Sequence, residues 1–178
     1  MKKLITLAVV ALAFIAAPQA NAQEFKVDKS PMDQAAFPTS YREAVKDIKV
    51  TYSRPQLKGR SLDKLAPNGE VWRTGANEAV EVTLYKDMNL GSTPIKAGTY
   101  TLYTIPGEKE WTVILNSDLN VWGSYFYKEE NDVARINVPV ETAEESLEYF
   151  GMEFTAVDKG AHLHMGWDTV RIQVPFYN

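Results

Sequence analysis

The chain has 178 residues, 45% hydrophobic and 24% charged, with a formal net charge of −4 and no cysteine. This length suits one folded domain, and the lack of cysteine excludes disulfides and thiol chemistry. The acidic balance argues against nucleic acid or an anionic lipid surface as partner.

The first segment reads as a secretory signal. Lys2 and Lys3 precede an apolar stretch of 14 residues from Leu4 to Ala17, Pro18 breaks it, and Ala20-Asn21-Ala22 offers small residues for a cut before Gln23. The stretch is shorter than the roughly 20 apolar residues of a membrane-spanning helix. Residues 1–22 are therefore expected to be a cleaved signal peptide, leaving a mature chain of 156 residues, exported to the periplasm or beyond. Residues 23–40 read as an extended arm, because Pro31 and Pro38 discourage helix and the apolar residues are scattered.

From residue 41 to 178 the pattern is period-two alternation, the signature of half-buried strands. Ile48, Val50 and Tyr52 form the first run and Val80, Val82 and Leu84 the second. Gly98 opens a strand through Tyr100, Leu102 and Thr104, and Trp111, Val113 and Leu115 return across the Pro106-Gly107 turn. Further strands are predicted over 133–138, around Phe150, Met152 and Phe154, and through Val170, Ile172 and Val174. Thr142 with Glu145 three residues on resembles a capping box and predicts one helical turn before the next strand. Asn116, Asp118 and Asn120 predict an Asx turn, since the glycine and glutamate of a calcium loop are missing; Glu129–Asp132 reads as a solvated hairpin tip. The fold class expected is all-β, a single antiparallel β-sandwich.

Residues 54–79 interrupt the rhythm and predict a long ordered loop with a short strand at Val71-Trp72, a kind of segment that is often functional. Arg54, Arg60 and Arg73 fall here with Trp72, Asn77, Glu70 and Glu78. Arginine forks bind carboxylates, sulfates and phosphates, and an indole can stack on a sugar, so one reading is a pocket for a small anionic or carbohydrate ligand. The other is an internal Arg–Glu network that pins the loop, with Trp72 in the core and Arg73 paired to Glu78. Both hold together if the network shapes the pocket rim. Glu70 or Glu78 acting as acid or base in a hydrolase is the catalytic alternative. His162 and His164 alternate onto one strand face and would supply two ligands for copper or zinc, with no third evident. No serine elbow, His-Glu-x-x-His, phosphate loop or dinucleotide fingerprint occurs, so no cofactor is expected.

Tyr52-Ser53-Arg54-Pro55, Gly59-Arg60, the run from Gly69 to Ala79, Ala97 to Leu102, Thr104-Ile105-Pro106-Gly107, Trp111-Thr112-Val113-Ile114, Trp122-Gly123 and Trp167-Asp168 follow one another along the chain. In these motifs the sequence resembles the bacterial domain-of-unknown-function family 2911, over nearly the whole mature chain. The resemblance implies an all-β domain of exported Bacteroidetes-type proteins and brings no catalytic residues. The function expected is an exported, non-catalytic binding or envelope-associated module.

Overall fold

The computed structural model describes residues 22–178; the expected signal sequence lies, but for Ala22, outside the described residues. Among the described residues ten antiparallel strands form two sheets. The larger takes β1 (Met32–Phe37), β2 (Ile48–Ser53), β3 (Val80–Leu84), β6 (Gly98–Ile105), β7 (Glu110–Asn116) and β8 (Asp132–Pro139), side by side in that order. The smaller runs β5 (Thr93–Ile95), β4 (Met88–Leu90), β10 (Gly160–Tyr177) and β9 (Glu141–Val157). A single helical turn, α1 (Leu62–Leu65), interrupts the long loop. Among the described residues no helix is long and apolar enough to cross a membrane.

Alternation explains the layering. Ile48, Val50, Tyr52, Val80, Val82 and Leu84 point inward from β2 and β3, while Phe150, Met152, Phe154, Leu163 and Met165 point inward from β9 and β10. Burial of these two apolar faces against each other is the main stabilising term. At one end the filling is aromatic. The Trp72 ring stacks on Trp167 with centroids 5.6 Å apart and meets Phe150 at 5.2 Å and Trp111 at 6.0 Å edge-on.

Three local expectations are corrected. Thr142–Ser146 is no helical turn: β9 runs unbroken from Glu141, with Thr142 opposite Val170 and Leu147 opposite Asp168. This half of β9 is solvent-exposed, so it lacks the inward apolar residues that would mark it as strand, and backbone pairing to β10 overrides the capping pattern. Glu129–Asp132 is not wholly a solvated tip. Glu129–Asn131 make a 3-10 turn, and the Asp132 side chain is only 8% exposed. Its carboxylate accepts from Asn116 Nδ2 at 2.8 Å, Tyr127 Oη at 2.6 Å and Arg135 Nε at 2.6 Å. The Asx turn is present, with the Asp118 amide donating to Asn116 Oδ1 at 2.9 Å. Finally, β1 falls within the segment read as an arm, as an edge strand paired to β2, and the β4–β5 hairpin turns through Gly91 at φ +61° without a sequence signal strong enough to announce it.

Candidate functional site: a cationic pocket beside the Gly69–Ala79 loop

The loop is made by a strand position that leaves the sheet and returns. Trp72 bridges Thr104 of β6 with N–H···O distances of 2.7 and 3.0 Å, and Val80 pairs with Leu102 on the same edge. The residues between are pushed out over the end of β2, where the Ala76 amide donates to Ser53 O at 3.1 Å. A side chain at Gly75 would bring its Cβ to 3.0 Å from Ser53 O, so only glycine packs without displacement. Thr74 and Asn77 adopt left-handed backbone at φ +60° and +59°, and Lys58 and Asp168 on neighbouring segments do the same at +48° and +49°. Non-glycine residues enter that region at an energetic cost, and such residues cluster at binding sites.

These segments enclose a pocket of about 210 Å³ whose lining includes Lys58, Arg60, Arg73, Asn77, Trp72 and Trp167. Arg60 is held by its own loop, donating from Nε to Leu57 O at 2.9 Å and from Nη2 to Gln56 O at 2.8 Å. Among the described residues none of the three cations forms an ion pair with a carboxylate. Arg73 is the extreme case. Its Nε is buried with no hydrogen-bond partner, and burial pulls the guanidinium below its ordinary pKa, opposed only by Tyr125. At the rim the Asp28 carboxylate takes the Ser30 amide at 2.6 Å, and that bond, followed by one from Asn77, holds its pKa below the usual carboxylate range.

The pocket brings together Arg60, Arg73, Asn77 and the floor under Trp72, but not every residue singled out by sequence. Trp72 is 5% exposed, so its ring contributes core packing and no open stacking face. Arg73 is not paired to Glu78. Glu78 is exposed and lines a separate groove with Glu81 and Asn120, while Glu70 is exposed on the turn before Val71. The internal Arg–Glu network is thus absent among the described residues: Arg60 bonds the loop's own carbonyls instead, and Arg73 makes no side-chain hydrogen bond. Arg54 is paired with Asp33 of β1 and lines a larger groove of about 440 Å³ on the β9–β10 side, also bounded by His164 and Arg171. His162 and His164 do share a face of β10, with ring centroids 6.4 Å apart. Their nitrogens lie near Gln173 Oε1 at 3.3 Å, Tyr177 Oη at 3.4 Å and Thr155 Oγ1 at 2.7 Å, and among the described residues no three His, Cys, Asp or Glu side chains gather to form a metal site. Larger grooves exist, yet the 210 Å³ pocket is where unpaired cations converge. Lys58 and Trp167 line the pocket without being among the site residues expected from the sequence. The first is adjacent to the Gly59-Arg60 motif, and the second lies in the Trp167-Asp168 motif far along the chain.

Fold and pocket together describe a cysteine-free, two-sheet all-β domain with a small cationic depression at one end of the sandwich. Residues 30–176 match the family described as "Protein of unknown function (DUF2911)", and the chain belongs to that family. No curated protein and no solved structure matches the chain.

Proposed function

We propose that the protein is an exported, non-catalytic binding module that holds a small anionic or carbohydrate ligand in the pocket formed by Lys58, Arg60, Arg73 and Asn77. One observation carries the reading: three cationic side chains line a single pocket with no ion pair to a carboxylate among the described residues, although the Glu148 carboxylate accepts the Lys58 backbone amide at 2.8 Å, and one of the three has a buried, unsatisfied Nε. A buried donor left without a partner costs about 1–3 kcal/mol, so the fold holds the Arg73 guanidinium here at a cost, and an anion in the pocket would meet the arginine's other nitrogens, which make no hydrogen bond among the described residues. Guanidinium forks suit carboxylate, sulfate and phosphate oxygens. Export is supported by the charge, apolar stretch and small-residue site of residues 1–22.

The test is a thermal melt of the purified protein with sulfate, phosphate and acetate at rising concentration. Binding to the folded state raises the midpoint logarithmically with ligand once the dissociation constant is passed. The parent should be stabilised by at least one of these anions, and Arg73→Met and Arg60→Ala should lose the effect. Arg54→Gln, in a different groove, should keep it. Equal anion-dependent shifts in parent and Arg73→Met would rule the pocket out as the binding site.

A further inference from the structure

The loop joining β7 to β8 carries exposed aromatic rings: Trp122 is 55% exposed, Tyr125 77% and Phe126 72%. Rings standing so far into solvent call for an explanation, since their burial is a main source of stability elsewhere in the fold. Tyr125 is the one whose position is tied to the cationic pocket. The loop is stitched to the Gly69–Ala79 segment by the Gly123 amide on Asn77 O at 3.0 Å and the Ala79 amide on Val121 O at 2.9 Å. Gly123 has φ +68°, and the Tyr125 ring lies over it so closely that a Cβ there would meet ring carbons at 2.7 and 2.8 Å. The ring is therefore packed on the glycine that bonds Asn77, itself a pocket residue. Trp122, bridging Glu78, belongs to the other side of the same ribbon.

We propose that Tyr125 and the pocket together bind a uronic-acid residue of an acidic saccharide, the tyrosine ring stacking on the pyranose C–H face while Arg73 and Arg60 take the carboxylate. The inference deepens the reading of the pocket as an anion site and rests on it. Three features select this ligand class. The pocket's volume of about 210 Å³ is below the roughly 300 Å³ at which drug-sized sites begin, so it admits one ring-sized unit. Its polar lining, with Asn77, Ser30 and Gln56 beside the cations, suits hydroxyl groups rather than an acyl chain. The exposed Tyr125 ring does not line the pocket but overlies Gly123, whose amide bonds Asn77 O, and its phenol lies close enough to Arg73 to act on that charge, so the ring is available to a saccharide unit held by the arginines. A depression of about 210 Å³ fits one ring-sized unit and offers no extended cationic face for a bilayer to lie on.

Calorimetric titration of the purified protein with oligomers of galacturonate and of glucuronate, against maltotriose and sulfate, tests this. At least one acidic oligomer should bind about tenfold or more tightly than maltotriose. Tyr125→Ala should weaken that binding by about tenfold, the scale of one lost aromatic contact, and Tyr125→Trp should restore it. The sulfate-induced rise in melting midpoint should be the same in Tyr125→Ala as in the parent, because the cations are untouched. If sulfate binds while the acidic oligomers do no better than maltotriose, or while Tyr125→Ala leaves their affinity unchanged, the saccharide inference falls and the anion pocket stands. If neither sulfate nor any oligomer binds, both fall. Binding to phosphatidylglycerol vesicles that Tyr125→Ala abolishes, with no binding of the oligomers, would overturn the inference in favour of a lipid surface.

Discussion

Arg73 offers the sharpest energetic test, because two arrangements of the same residues give opposite signs. Had Arg73 been locked in a buried ion pair with Glu78, removing it would cost about 3–5 kcal/mol. In the structure it has no ion-pair partner among the described residues, its Nε is buried and unsatisfied, and burial already disfavours its charge. Replacing it with methionine keeps most of the apolar stem in place and removes a donor whose desolvation costs about 1–3 kcal/mol. Arg73→Met is therefore expected to stabilise the fold by about 1–2 kcal/mol. For a domain of this size that is a rise of roughly 2–8 °C in midpoint. Arg73→Ala also loses stem packing, worth about 0.8 kcal/mol per methylene when buried, and should be near neutral. The assay is urea unfolding followed by tryptophan fluorescence, which reports on Trp72, Trp111 and Trp167 packed around Phe150. Sulfate and phosphate must be left out of the buffer, since either would stabilise the parent alone. A loss of 3 kcal/mol or more in Arg73→Met, on the scale of a broken buried pair, would refute the reasoning.

Other outcomes follow from single features. Trp72→Ala removes the centre of the aromatic cluster and should cost about 3–5 kcal/mol, read as a midpoint lower by roughly 10 °C. Asp132→Ala strips three donors of their shared acceptor and should cost about 3 kcal/mol by urea unfolding, whereas breaking the exposed Lys96–Asp87 pair should leave the unfolding midpoint almost unchanged. Tyr103 and Tyr127 are both pushed up to about 12, chiefly by burial, with Asp132 near each. A phenol raised in the folded state from about 10 binds its proton more tightly than in the unfolded chain. Its contribution is complete below about pH 10 and is lost as pH rises towards 12. Ultraviolet titration should show these two phenols ionising late, and Tyr127→Phe should flatten the fall in stability over that window. For export, mass spectrometry of the secreted form should give an N-terminus at Gln23; retention of residues 1–22 would contradict the signal reading.

Much of the fold was legible because period-two alternation depends on only one fact, that a strand buries one face. Ile48, Val50 and Tyr52, Val80, Val82 and Leu84, and Trp111, Val113 and Leu115 all carry that mark, and all face the core. The density of Pro, Gly and Arg between residues 54 and 79 likewise marked the segment that builds the pocket. What alternation cannot show is an element stabilised by its partner rather than by its own pattern. The exposed half of β9 is held by β10, β1 by β2, and the β4–β5 hairpin by the end of β10. The same limit governed the site. Whether Arg73 meets Glu78, a carbonyl or nothing depends on where Trp72 rejoins β6, a contact between segments far apart in the chain. Gly123, under the Tyr125 ring, is tied to the pocket residue Asn77 only through the bond of its amide to Asn77 O. Residue types and spacing along the chain determine which groups want burial or a partner; long-range backbone pairing alone decides which of them are desolvated together.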